Sequence, residues 1–195
     1  LSRNQDRLGG VQQKDTSPPA SGGGLSFVVP TEFVDLPSLG RYYPEGHPLH
    51  GEDTVEVRQM TAKEEDILTS ATLLKKGIAL DKVVENIIVD KTIDPKSLLV
   101  GDRNAIIIAA RVSGYGSDYN VTLTCPNCGT KSQNTFNLRQ ADLNRADEFR
   151  DIGVVHEGGN IFSVNLVKLE GIQVQFRLMD GEDEKALVKN AKSNE

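Results

Sequence analysis

The segment "GDRNAIIIAARVSGYG", Gly101 to Gly116, constrains this chain more than any other. Three consecutive isoleucines flanked by alanines make a helix that is apolar nearly all round. Such a helix has to be buried at the centre of a core. Asp102 reads as its cap and Gly114 as its end. The same reasoning places Ile107 deep enough that a charge there abolishes folding.

The elements before it follow from pattern and capping. "DTVEVRQM" is a short strand, Thr54 to Met60, with Val55 and Val57 on one face. Thr61 and Glu64 form a T-x-x-E capping box opening "TAKEEDILTSATLLKKGIAL", and Ile67, Ala71, Leu74 and Ile78 recur at helical spacing. Lys75 and Lys76 favour the helix end, and Gly77 frays it. A second short helix is expected over Asp81 to Val89. Asp94-Pro95 is read as a cap followed by proline at the first helical position.

After Gly116 the pattern turns to β. "DYNVTLTC" and "KSQNTFNL" are the arms of a hairpin with "CPNCG" at its tip. Ala141 to Arg150 reads as a short helix, "IFSVNL" and "IQVQFRLM" as strands, and the last helix as starting at Asp180. The expected fold class is α+β: a helical N-terminal half packed on a β-rich C-terminal half that contains a CPxCG hairpin knuckle. Its divisions are 1–24, a disordered arm; 25–53, an extended Pro/Gly docking segment; 54–118, mainly helical; and 119–195, β-rich.

The arm is Gly/Ser/Pro-rich and has little to bury. In the docking segment, prolines remove backbone donors, so extended chain and turns are expected there instead of regular sheet. Its apolar residues, Phe33, Leu36, Tyr42 and Tyr43 among them, must rest on the body of the domain or on another subunit. They are the expected partner-docking residues. Tyr42→Ala and Tyr43→Ala are expected to spare folding and impair assembly. Neither end reads as a natural boundary: there is no initiator methionine, and "EDEKALVKNAKSNE" reads as a helix only just begun.

Composition narrows the function. The chain has 195 residues, formal charge −6 and no tryptophan. The acidic balance argues against a nucleic-acid binder and against an anionic membrane surface. No run reaches the roughly 20 apolar residues a bilayer span needs. A C-x-x-C in such a chain points to a reducing compartment.

Cys125 and Cys128, spaced C-x-x-C, read as half of a zinc site. Structural zinc wants four ligands, so His47 and His50, spaced H-x-x-H, or His156 are candidates for the rest. The alternative is symmetric, with two protomers each supplying both thiolates. A relic turn without metal is a third reading, and thiol redox chemistry is disfavoured because the pair sits at a hairpin tip, not a helix N-terminus. "SGYGSDY" is no phosphate cradle, and Ser113 and Ser117 have no His-Asp partners in view. The acids of "KEEDI" and "GEDEK" read as solvated first-turn residues. No enzyme is expected.

There is also an internal echo. "VEVRQMTAKEEDIL" from Val55 and "VQFRLMDGEDEKAL" from Val174 match at Arg58 and Arg177, Met60 and Met179, Glu65 and Glu184, and Leu68 and Leu187. Strand-to-capped-helix units are common, so the echo is read as coincidence. If real, it makes two equivalent docking elements.

"EFVDLPSLGRYYPEGHPL", "VRQMTAKEEDILTS", "LLKKG", "LLVGDRNAIIIAARVSGYGSDY" and "CPNCG" occur in that order. Together they resemble the baseplate protein family of T4-like contractile-tailed bacteriophages, whose T4 member is assigned to the baseplate hub. The resemblance runs from Glu32 to about Leu187. It implies a non-enzymatic structural or assembly component of the hub, assembled in the host cytoplasm and placed in the virion tail baseplate, with other hub proteins as partners. The Gly/Ser-rich arm before Leu25 is outside the pattern. A reading of another class is a zinc-ribbon adaptor binding a protein partner. Near the cysteines only Lys131 and Arg139 are basic, which counts against nucleic acid.

Overall fold

The computed structural model describes residues 29–140, 153–168 and 171–192. The expected arm over 1–24 and the expected helix over 141–150 lie outside the described residues. The chain is α+β, with helices and antiparallel sheets. The halves do not divide as expected, because a hairpin opens the described chain. Strand β1 (Thr31–Asp35) pairs antiparallel with β2 (Thr54–Arg58), from Thr31 opposite Arg58 to Asp35 opposite Thr54. The proline-rich segment therefore does contain regular sheet. Pro30 sits just before the strand and contributes only its carbonyl, which accepts from Gln59 N at 2.9 Å.

Helices α1 (Ala62–Thr69), α2 (Ala71–Lys76), α3 (Ala79–Ile87) and α4 (Val100–Tyr115) follow. The long helix expected from Thr61 breaks at Ser70, which is extended at φ −67°, ψ 108°. The break turns the second part away from the core, so Ala71 and Leu74 are exposed while Ile67 packs on it. Gly77 ends α2 in the left-handed conformation, and its N–H bonds back into the last turn. Asp94-Pro95 starts a turn, not a helix: Asp94 Oδ1 accepts from Lys96 N at 3.0 Å, and its carbonyl from Ser97 N at 3.0 Å.

One core gathers β1, β2, α3 and α4. Leu36, Val84, Ile87, Leu98 and Ile106 are at most 1% exposed, each stabilising the fold by about 2 kcal/mol through burial. Helix α4 is at the edge of this core, not its centre. Asp102, Ala105, Ile106 and Ala110 face inward, Ile107 is half-buried, and Ile108 is exposed. Its covering elements, α3 and β1, leave the far side open.

The chain continues into hairpin β3 (Asp118–Thr124) and β4 (Lys131–Asn137), a two-stranded sheet of its own. A separate three-stranded sheet runs β5 (Val154–Gly158), β6 (Ile161–Asn165), β7 (Gln173–Arg177), all antiparallel. Helix α5 (Gly181–Lys192) closes the described chain. The sequence patterns mark β6 and β7 but not β5. This end is tied to α4 and the turn before it: Val100 N donates to Met179 O at 2.9 Å, Gly181 N to Lys96 O at 3.0 Å, and Arg103 of α4 pairs with Glu184. No described helix is long and apolar enough to cross a membrane.

Candidate docking surface and the cysteine hairpin

The proline-rich segment is held to α4 by one buried carboxylate. Asp102 is 1% exposed. It accepts from Ser38 N at 3.0 Å, Ser38 Oγ at 2.6 Å and the Tyr43 hydroxyl at 2.8 Å. Tyr43 Oη in turn accepts from Leu99 N at 3.1 Å, at the start of α4. Asp102 is thus not the cap expected of it; it lies in the first turn and points back to the loop. Burial, and then the adjacent Asp102 charge, pushes the Tyr43 phenol far above its ordinary range. It therefore serves as a fixed donor.

The loop between β1 and β2 is tight because Gly40 takes φ +65°. A Cβ there would come within 2.4 Å of the Glu52 backbone and 2.5 Å of Leu49 O. Only glycine fits that approach.

This architecture divides the four expected docking residues. Leu36 and Tyr43 are 1% and 2% exposed and belong to the protein's own core. They are not available to a partner, and Tyr43→Ala is now expected to cost folding. Tyr42 is half-buried and meets His156 and Phe162 edge-on, at ring centroid distances of 5.4 and 5.2 Å. It ties the loop to the β5–β7 sheet. Of the four, Phe33 points outward, at 71% exposure. Strand alternation explains the outward turn of Phe33, since it and the buried Val34 face opposite sides of β1.

Phe33 stands at a groove of about 480 Å³ between β1, the open side of α4 and the turn after β4. Ile108, Ala109 and Val112 of α4 and Leu138 line it, with Glu32, Asp35 and Arg139 at its polar edges. The outer residues of α4 and the outward residue of β1 thus form one apolar surface.

The cysteines lie at the tip of the β3–β4 hairpin, both exposed. Cys125 N donates to Thr130 O, and Gly129 N to Cys125 O, each at 2.9 Å. Hydrogen bonds from the Thr130 hydroxyl and backbone, and the neighbouring Cys125 thiol, lower the Cys128 thiol to about 7. The histidines are engaged elsewhere. His47 Nε2 lies 2.8 Å from Ser97 Oγ and its ring stacks on Tyr43, His50 Nδ1 lies 2.6 Å from Tyr43 O, and His156 Nε2 lies 2.8 Å from Gly159 O. Burial lowers the His47 pKa. Among the described residues no three His, Cys, Asp or Glu side chains come together as a metal site. The expected set of two cysteines and two histidines is therefore not assembled within the described chain.

Two features escape the sequence reading. The capping box at Thr61 forms as expected, but Glu64, also read as a solvated acid, is fully buried and paired with Arg58. Its Oε1 accepts from Arg58 Nη2 at 2.6 Å and its Oε2 from Thr61 N at 2.8 Å and Thr61 Oγ1 at 2.7 Å. The second is the Ser38–Tyr43–Asp102 junction. A lone acid beside an apolar run was the available signal for it.

The fold is that of a small α+β protein with a groove lined by β1 and α4 and an exposed cysteine hairpin. The chain belongs to the T4 bacteriophage base plate protein family, which it matches over residues 30–195. Comparison with the curated proteins and with the solved structures found no match. Family membership makes it a phage baseplate protein, associated with other baseplate proteins in the virion tail.

Proposed function

We propose that this baseplate protein is a non-enzymatic structural or assembly component of the hub of a contractile tail, assembled in the host cytoplasm. The groove at Phe33 is its docking surface for another hub protein. The observation that carries the reading is Phe33 itself, a large aromatic left 71% exposed beside an apolar groove in a chain of this family. Aromatic anchors in such grooves supply a large share of interface energy. The core residues around it hold the groove in shape and need no partner.

The test is a phage carrying Phe33→Asp, alone and with Ile108→Asp. Phe33 is 71% exposed, so the purified single variant should keep its denaturation midpoint, and Ile108, at 36%, should cost the double variant a little more. Tail baseplates from such an infection should lack complete hubs, and infectious yield should collapse. Normal hubs assembled from a correctly folded double variant would remove the groove from the function.

A further inference from the structure

We propose that the β3–β4 hairpin tip is half of a structural zinc site, and that a second copy of this chain supplies the other two thiolates. Strand pairing runs unbroken to Thr124 opposite Lys131. The six residues beyond it fold back through the two 2.9 Å backbone bonds at Cys125. Gly129, at φ +69°, reverses the chain immediately after Cys128. The turn thus leaves both sulfurs exposed at one end of a hydrogen-bonded hairpin, the arrangement in which two thiolates can grip one metal ion.

Ligand accounting selects the partner. Thiolates favour a tetrahedral zinc with four protein ligands. Cys125 and Cys128 are the only cysteines in the sequence. All three of its histidines are hydrogen-bonded away from the tip, in the β1–β2 loop and on the β5–β6 hairpin. A second copy carries the same pair in the same turn, and a two-fold axis converts two half-sites into one four-thiolate site.

A second observation points the same way. Alternation puts Tyr119, Val121 and Leu123 of β3 on one face, with Phe136 opposite Tyr119. Tyr119, Leu123 and Phe136 are 45–50% exposed. A two-stranded hairpin is marginal in water unless something packs on its apolar face. A two-fold axis along the hairpins would bring the two tips together and set these faces against each other. The bound metal and the covered face then stabilise the same dimer.

The experiment is native mass spectrometry of the full chain loaded with zinc, repeated with chelator, with Cys125→Ser/Cys128→Ser and with His156→Gln. The expected result is one zinc per two chains. Chelator or the double serine variant should give folded monomer, since neither cysteine belongs to the hydrophobic core. His156→Gln should bind zinc unchanged. Cobalt(II) in place of zinc should give a tetrathiolate absorption spectrum. One zinc per monomer, no zinc, a mixed nitrogen–sulfur cobalt spectrum, or a dimer indifferent to chelator and to the serine variant would each overturn the shared site.

Discussion

Residues 55–68 and 174–187 are wired alike but bedded differently. In each, the last residue of a strand is an arginine whose guanidinium holds the acid at the third helical position: Arg58 with Glu64 at 2.6 Å, and Arg177 with Asp183 at 2.5 Å. In each, that acid also accepts from the backbone of the capping residue, Thr61 at 2.8 Å and Asp180 at 3.3 Å. The two echoed segments thus share a local hydrogen-bond pattern. The surroundings differ. Glu64 is sealed against α3, where Arg58 Nε also donates to Asn86 O at 3.0 Å, and Met60 and Leu68 pack on the core. Arg177 is 53% exposed, and Met179 and Leu187 face outward at 45% and 56%. The sequence pattern sets the hydrogen bonds of such a unit, and the layer packed over it sets their worth.

The comparison can be broken most sharply at Glu64. Glu64→Ala leaves Arg58 half-buried without its counter-charge and opens the cap, so a loss of about 3–5 kcal/mol is expected in urea denaturation. A loss no greater than that of a surface pair would mean burial does not separate the two units.

Acid titration sharpens the same point. Burial pushes the Glu64 carboxyl up, but hydrogen bonds from Arg58 and Thr61 and the guanidinium charge outweigh it, holding the group at about 2 against an ordinary 4.5. A depressed folded-state value means this contribution is complete above pH ~4.5 and is lost as pH falls through ~2, about 3 kcal/mol in all. The acid limb of stability against pH should flatten in Glu64→Gln. An unchanged limb would assign acid lability to other carboxylates.

The smallest effect belongs to the second unit. Asp183→Ala should cost no more than about 1 kcal/mol, the worth of a solvent-screened pair and a cap contact. It should cost less still at high salt, measured by the same urea midpoint.

Local chemistry was legible wherever partners are close in sequence. Thr61 and Glu64 are three residues apart, and the alternation of β3 and β4 needs only a turn between them. The α+β class followed from such local signals. Others failed where a distant element decides the outcome. Ser70 has no breaking residue to announce the kink. Ile108 and Ile106 look alike in the sequence, yet only Ile106 is buried against the core. Of the expected docking residues, Phe33 keeps its open position, while Leu36 and Tyr43 go to the core.

The sequence by itself determined the Thr61–Glu64 cap, the β3–β4 hairpin and the cysteine tip, because each rests on φ preferences and hydrogen bonds within a short stretch of chain. Only the tertiary structure decided that Asp102 would hold Ser38 and Tyr43, 64 and 59 residues away. It alone decided, too, which of the two similarly wired arginine–acid units would be buried. Burial depends on what packs from elsewhere in the chain, and no local pattern carries that information.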